Sequence, residues 1–134
     1  MAGEKNLTKL IRNMKPDLQH GTYVFTTVQT TEGISITDII CLFHEKEGTT
    51  LVMERNKADE LQLQYDFLAA WITLNIHSSL DATGLTAIFS SALAKFSISC
   101  NVISGYYHDH IFIAKKDEYQ AIKVLQELSQ NFIS

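Results

Sequence analysis

The sequence predicts an α+β fold in which helices pack on one face of an antiparallel sheet. Over residues 71–132, the apolar spacing gives the order strand, helix, strand, strand, helix. Residues 23–62 resemble a shortened copy of that order, with too few residues for a helix after the first strand. Because each copy alone is too small for a good core, we expect the two copies to pool their strands in one sheet.

The first half of the chain is predicted to open with a short helix. Apolar residues at helical spacing follow Asn6, a candidate N-cap, and Pro16 ends the pattern. Aromatic and β-branched residues then indicate strands, and a polar link that contains a glycine suits a tight hairpin. The elements expected next are strands over Tyr23–Val28, 38–43 and Thr49–Glu54, and a brief helix over 56–62 with Asn56 as its cap.

The second half shows the clearest apolar periodicity. Leu85, Phe89 and Phe96 belong to one helical stripe, and Asp81 or Thr83 is expected to cap that helix. The other elements expected here are strands over 65–77, 97–103 and Asp109–Ala114, and a last helix that begins at Asp117 and continues to Phe132.

Composition and charge argue against several classes of function. The net charge is −4, and the eleven lysines and arginines are interleaved with acids, whereas nucleic-acid binding needs clustered positive charge. No apolar run reaches the roughly 18–20 residues that a membrane-spanning helix requires, so we expect no membrane partner. Cys41 and Cys100 lie in apolar runs without disulfide or metal-binding spacing, which predicts small buried hydrophobes in a cytoplasmic protein.

Two motifs carry a family resemblance: HSSLDATGLT over residues 77–86 and ISCNVISGYYHDHIF over residues 98–112. They resemble the ACT-domain superfamily, in particular small proteins with two tandem ACT-like modules, and residues 10–25 are similar to the first module of that branch. The resemblance implies two ferredoxin-like modules of order βαββαβ. A degenerate module would cover residues 1–64, and a second module would cover residues 65–134.

Two features of the chain depart from the family pattern. Ser97 occupies a position at which the family often has glycine, and no strand follows the last helix. We expect the missing strand to come from a segment of the first module or from a partner chain.

The resemblance implies a regulatory protein that binds a small molecule, typically an amino acid, at the seam between modules. The stretch 81–85 resembles the family's ligand loop, which lies between the first strand and the first helix of a module. We therefore expect an amino acid or a similar metabolite as ligand, no cofactor, a homodimer, and a regulated partner protein that responds to a change in assembly.

The chemistry of the candidate site begins at a helix N-terminus, whose unpaired amides and partial positive charge favour a carboxylate. Thr83, Gly84 and Leu85 would supply those amides, and Ser78 and Ser79 would add hydroxyl donors. Two carboxylates complete the candidate set. Asp81 either caps the helix or contributes to the site, and Asp109 either accepts the ligand's ammonium group or is a solvated residue of the hairpin.

Other functions remain as alternatives. His108, Asp109 and His110 are candidate catalytic residues of a small-molecule enzyme. His108 and His110 could also form a metal site with His77. We expect no metal, because no third ligand has a spacing that is typical of a metal site. The sequence lacks a Gly-x-Ser-x-Gly elbow and a phosphate loop, so we expect no enzymatic activity. A homodimer with a purely structural role and no ligand is the other alternative.

Overall fold

The computed structural model describes residues 6–76, 80 and 82–133, and its α+β architecture confirms the predicted fold class. Short 3-10 turns cover Ile36–Asp38 and Lys115–Asp117. The helices and strands are α1 (Leu7–Asn13), β1 (Pro16–Leu18), β2 (Tyr23–Val28), β3 (Cys41–His44), β4 (Thr49–Glu54), α2 (Arg55–Glu60), β5 (Leu68–Leu74), α3 (Leu85–Ala94), β6 (Asn101–Ser104), β7 (Asp109–Ala114) and α4 (Glu118–Asn131).

The chain forms two compact units, which differ from a simple division into halves. One unit combines Met1–His20 with Ala70–Ser134, and the other is Gly21–Ala69. Residues 6–20 therefore pack with the second half of the chain. We keep the division into modules 1–64 and 65–134 as a proposal about the repeated element order, which is distinct from these packing units.

The Gly21–Ala69 unit is built on three antiparallel strands. β2 pairs with β4 from Tyr23↔Glu54 to Val28↔Thr49, and β3 pairs with the other side of β4. One core cluster of this unit contains Val24, Met53 and Ala58, and α2 helps to cover it. No α-helix lies between β2 and β3 in this fully described unit, in agreement with the shortened first copy.

Three boundaries in this unit differ from the prediction. β3 begins at Cys41 and not at residue 38, because the 3-10 turn uses the amides of Asp38 and Ile39. α2 follows β4 directly, so Glu54 is its N-cap and Asn56 lies inside the helix. β5 begins at Leu68, and the residues before it form a loop.

The other unit contains a sheet completed by the N-terminal segment. β7 lies on one side of β5, with β6 beyond it, and β1 pairs antiparallel with β5 from Pro16↔Leu74 to Leu18↔Ile72. Of the two sources expected for the missing last strand, the structure therefore shows an earlier segment of the same chain.

The core of this unit lies between one sheet face and three helices. Ile72 of β5 and Ile111 and Ile113 of β7 are fully buried against residues from the helices. The helical residues of this core with the least exposure are Leu10, Ile11, Phe89, Leu93, Ala121 and Leu125. Asn6 caps α1 as predicted, and its side chain accepts a hydrogen bond of 2.9 Å from the Lys9 amide.

α3 ends earlier than the predicted helix stripe, and the strand that follows begins later than predicted. The helix ends at Ala94, so Phe96 lies beyond it and is 50% exposed. Ser97 then adopts a left-handed φ of 59°, and the Ile98 amide donates to the Leu93 carbonyl at 3.1 Å. This reversal uses the residues predicted to begin the next strand, so β6 starts only at Asn101.

The left-handed φ of Ser97 explains why the family often has glycine at this position, because this φ strains residues that carry a Cβ. We expect Ser97→Gly to raise the free energy of unfolding by up to about 1 kcal/mol, since relief of the strain exceeds the extra entropy of glycine in the unfolded chain. Urea denaturation measures the change. Ser97→Ala keeps the strain and should show no gain; a less stable Ser97→Gly protein would contradict this account.

A substitution of Ile11 tests whether the N-terminal segment belongs to the core of the second half. Its side chain is fully buried among residues of that core. We expect Ile11→Ala to lower the free energy of unfolding by about 3 kcal/mol, because it leaves a cavity. Hydrogen exchange should then speed up at the amides of β5 and β7. Exchange that accelerates only within α1 would show that this helix is a detachable appendage.

Candidate functional site

Two segments that flank predicted site residues meet at one end of the sheet in the unit that contains the second half of the chain. β5 ends at Leu74, and the loop that follows leads to α3. His108, which immediately precedes β7, places its Nδ1 atom 3.1 Å from the carbonyl oxygen of Ile76. This contact brings the β6–β7 hairpin to the segment that leaves β5, so the start of β7 and the beginning of the loop lie together.

The N-terminus of α3 presents its backbone without a side-chain cap. Gly84 is the N-cap residue, with a left-handed φ of 90°, and no side chain forms the capping hydrogen bond. The expectation that Thr83 caps the helix is therefore wrong, and Thr83 is exposed. A Cβ at Gly84 would lie 3.3 Å from Cδ2 of Leu7, so α1 packs closely here. Leu85 is buried and anchors the first turn to the core.

Three of the predicted residues cannot be located in this geometry. Ser78, Ser79 and Asp81 lie outside the described residues, so their predicted contributions to the site stay predictions.

Asp109 is a buried carboxylate at the start of β7. Only 7% of the residue is exposed, so the alternative of a solvated hairpin aspartate is wrong. Strand alternation places its side chain on the same face as Ile111 and Ile113, which is the face that the helices cover. Among the described residues, no buried side-chain nitrogen or oxygen lacks a hydrogen-bond partner, so Asp109 is not an unsatisfied buried charge. A carboxylate at this position could form a charge-assisted hydrogen bond with a cationic group of a ligand.

His110 lies on the opposite sheet face and belongs to a hydrogen-bonded cluster. Trp71 donates from Nε1 to the His110 Nδ1 atom at 3.1 Å, and the Thr73 hydroxyl lies 3.1 Å from the same nitrogen. Gln19 donates to Thr73 at 3.1 Å, and the Trp71 ring stacks on Phe112. Burial, and secondarily the nearby His108, lower the pKa of His110 although Asp109 opposes them, which favours the neutral imidazole that accepts from Trp71.

These positions do not support the enzymatic alternative, and His77 of the alternative metal site lies outside the described residues. Asp109 faces the helices, His110 contacts Trp71 on the other face, and His108 contacts a backbone carbonyl, so the three side chains do not converge. Among the described residues, no group of three potential ligands could hold a metal ion. Burial also raises the pKa of the Cys100 thiol to about 11, so this half-buried residue stays protonated at neutral pH.

Sequence reasoning did not identify two open grooves away from this site. One, of about 520 Å³, lies beside β2 in the Gly21–Ala69 unit and includes Phe25 and Tyr65 in its lining. The other, of about 440 Å³, lies between the end of α1 and α4 and is lined by Arg12 and Lys15 among others. Neither groove contains a residue predicted to bind the ligand. None of the described helices combines the length and the apolar composition that crossing a bilayer requires.

Comparison with known proteins shows the family. Models of the ACT domain match residues 2–70 and residues 68–127. The chain belongs to the ACT-domain family. No curated protein matches the sequence of this ACT-domain protein.

Solved structures extend this result. A Vibrio cholerae protein of unknown function, described as a possible transport protein, is 45% identical and has a TM-score of 0.83, with 94% of this chain and 98% of that chain covered. An Agrobacterium tumefaciens protein is 16% identical, with a TM-score of 0.70 and coverage of 87% and 89%. The ligand-free regulatory subunit of aspartate kinase from Thermus thermophilus is 9% identical, with a TM-score of 0.58 and coverage of 84% and 95%. The chain therefore has the ACT-domain regulatory fold that is also found in regulatory subunits of aspartate kinase.

The His110 cluster predicts a dependence of stability on pH. The pKa of His110 in the folded chain is lowered below the ordinary 6.5, so His110 binds a proton more readily in the unfolded chain than in the folded chain. Stability should therefore fall as the pH falls through 6.5 toward the folded-state pKa. The urea midpoint at pH 7.5 and at pH 5.5 measures this loss. His110→Gln, which can still accept from Trp71, should reduce the loss, and His44→Gln at an exposed position should leave it unchanged. An equal loss in the His110→Gln protein would assign the effect to other groups.

Proposed function

We propose that this ACT-domain protein binds a free α-amino acid or a similar small metabolite and transmits its occupancy to a partner protein. The observation that carries the proposal is the buried Asp109 carboxylate at the sheet end from which the loop to α3 departs. A non-catalytic, regulatory role agrees with the fold and with the separation of His108, Asp109 and His110.

The proposed ligand carries charges of both signs. The backbone amides at Thr83, Gly84 and Leu85 would bind its carboxylate, because the start of a helix offers unpaired donors and a partial positive charge. Gly84 lacks a side chain, which permits close approach to the backbone, and no side chain occupies the capping position. We include the Ser78 and Ser79 hydroxyls and the Asp81 side chain as further contributors to this end of the site.

Asp109 would bind the ammonium group. A carboxylate that is 7% exposed loses much of its hydration on folding, and an ammonium ion within hydrogen-bonding distance would restore a favourable interaction. Ligand-free protein should therefore be less stable than ligand-bound protein. Occupancy at about 100 times the dissociation constant would contribute about 2.7 kcal/mol to the free energy of unfolding.

A second role, in assembly, is supported by a different observation. Exposed apolar residues are concentrated between residues 36 and 43 of the Gly21–Ala69 unit. We propose that the protein acts as a homodimer and that ligand binding alters the contact of this assembly with a regulated partner protein. The purely structural alternative, a homodimer without a ligand, differs because its assembly and stability would not respond to any metabolite.

Titration calorimetry of the full chain against each of the twenty amino acids tests the ligand. We expect heat from one amino acid or a chemically related few. Asp109→Asn should weaken that binding by about tenfold or more, because a charge-assisted hydrogen bond contributes about 1.5–3 kcal/mol. Asp17→Asn removes the same charge at an exposed position of the same unit and should bind normally. The absence of heat with all twenty amino acids would refute the proposed ligand class.

A pair of glycine variants separates loss of the site from loss of the fold. Gly84 and Gly33 have left-handed φ angles of 90° and 83°, so an arginine is strained at either position. Gly84→Arg should abolish binding, whereas Gly33→Arg, in open space, should retain it. Circular dichroism must show both variants folded. Normal binding by a folded Gly84→Arg protein would place the ligand elsewhere.

A further inference from the structure

The two β-hairpins of the chain have the same register, so their residues can be compared one by one. The paired residues run from Cys41↔Val52 to His44↔Thr49 in one hairpin, and from Asn101↔Phe112 to Ser104↔Asp109 in the other. The turns also close alike, with backbone hydrogen bonds of 3.0 Å and 2.9 Å at equivalent positions. Thr50 of β4 therefore corresponds to His110 of β7.

The strands beside these hairpins correspond as well. Thr27 of β2 pairs with Thr50. Thr73 of β5 has the same place beside His110, because its hydroxyl lies 3.1 Å from the His110 Nδ1 atom. Side chains two positions apart in a strand lie on the same face of the sheet. The corresponding residues on this face are therefore Phe25 and Trp71, Thr27 and Thr73, and Thr50 and His110.

One unit fills this face of its sheet, whereas the other leaves a groove. Trp71 donates to His110 at 3.1 Å, and its ring stacks on Phe112 with centroids 5.9 Å apart. The smaller side chains of Phe25 and Thr50 occupy the corresponding positions, where a groove of about 520 Å³ is present. This volume lies within the roughly 300–1,000 Å³ that is typical of small-molecule sites. The β2 groove is lined by Phe25, Thr27, Glu45, Thr50, Tyr65 and Asp66 among others.

The β2 groove is lined by carboxylates from two separate segments. Glu45 belongs to the β3–β4 turn and Asp66 to the loop before β5. In the part of the chain that the structure describes, no lysine or arginine contributes to the lining, and neither carboxylate is in an ion pair. The Arg55 guanidinium donates to the Tyr65 hydroxyl at 3.1 Å, but it lies 3.9 Å from Asp59, which balances its charge. The groove therefore favours a positively charged ligand.

Hydrogen bonds hold the walls of the β2 groove in place. The buried Thr26 hydroxyl donates to the Gln64 carbonyl at 2.6 Å, which attaches the loop before β5 to β2. The Tyr65 hydroxyl donates to a carboxylate of α2 at 2.7 Å, and the Thr50 hydroxyl donates to Glu45. The aromatic ring and the carboxylate are therefore positioned before a ligand binds, which lowers the entropic cost of binding.

We propose that the β2 groove binds a small organic cation, an aliphatic amine or guanidine. Its cationic group would donate charge-assisted hydrogen bonds to Glu45 and Asp66. The rings of Phe25 and Tyr65 would contact its aliphatic part and attract its positive charge. The inference goes beyond the proposed amino-acid function and does not depend on it, because the groove contains no residue of that candidate site.

A titration of the full chain, followed by nuclear magnetic resonance, tests the ligand class. The probes are putrescine, which is a diamine, its neutral diol analogue, and succinate, a dicarboxylate of the same chain length. We expect putrescine to shift the amide signals of Thr27, Thr50 and Tyr65 in a saturable manner. Agmatine, which carries a guanidinium group, should shift the same signals, whereas the diol and succinate should leave them unchanged.

Charge variants test the two carboxylates. Glu45→Gln and Asp66→Asn should each raise the dissociation constant of putrescine by about fivefold, because each removes one partner of an exposed ion pair. Glu47→Gln is the matched control. It removes the same charge from an exposed position of the same turn, outside the groove lining, and should bind putrescine like the wild type.

A steric variant tests the location. Phe25→Trp combined with Thr50→His introduces the two residues that fill the corresponding face of the other unit. At a pH at which histidine is neutral, this double variant has the net charge of the wild type. It should lose putrescine binding while circular dichroism shows that it is folded.

Several outcomes would overturn the proposal. The absence of a saturable shift with both amines would exclude the ligand class, and equal binding of the diol would exclude the role of charge. An equal loss in Glu47→Gln would assign binding to diffuse surface charge. Undiminished binding by the folded double variant would place the amine elsewhere. If that variant fails to fold, the wild-type shifts decide the location, and shifts that omit Thr27, Thr50 and Tyr65 would refute the site.

Discussion

The pairing of β1 with β5 is the contact on which the larger unit depends. β1 occupies one side of β5 from Pro16↔Leu74 to Leu18↔Ile72, so it supplies backbone partners to a strand that would otherwise end the sheet there. The same segment carries α1 into the core. The Ser129 hydroxyl lies 3.0 Å from the carbonyl oxygens of both Arg12 and Met14, and its single proton can be donated to one of these acceptors at a time. The second half of the chain thus obtains both a strand and a core helix from residues 7–18.

Much of this fold could be predicted from the sequence where the pattern is local. Tyr23–Val28, Thr49–Glu54 and Asp109–Ala114 are strands with the predicted limits, because alternation and β-branched composition agree there. The misplaced boundaries have tertiary or conformational causes. Ser97 adopts a left-handed φ that its side chain does not favour, and the 3-10 turn before β3 has no apolar periodicity that would distinguish it from a strand. The assignment of β1 to β5 joins residues more than fifty positions apart, which propensity cannot reveal.

The candidate site shows the same limit. The Asp-x-x-Gly-Leu stretch identified the start of α3, and Gly84 is at that start, but the sequence suggested Asp81 or Thr83 as the cap. The role of His110 was also obscure, because its partner Trp71 is 39 residues away. The burial of Asp109 follows from the helices that pack on its side of the sheet, and its two histidine neighbours instead suggested an exposed turn. In each case the missing information is which elements surround the residue.

The discontinuous composition of the larger unit also has a consequence for biosynthesis. Gly21–Ala69 is contiguous and can acquire its core while the ribosome is still translating the remainder. The segment that precedes this unit is translated before it, yet its buried residues Leu10, Ile11 and Met14 have no core to enter until the polypeptide beyond Ala70 has been made. During that interval this apolar segment is available to chaperones. The α1 segment is therefore translated before the Gly21–Ala69 unit but reaches its final environment after it.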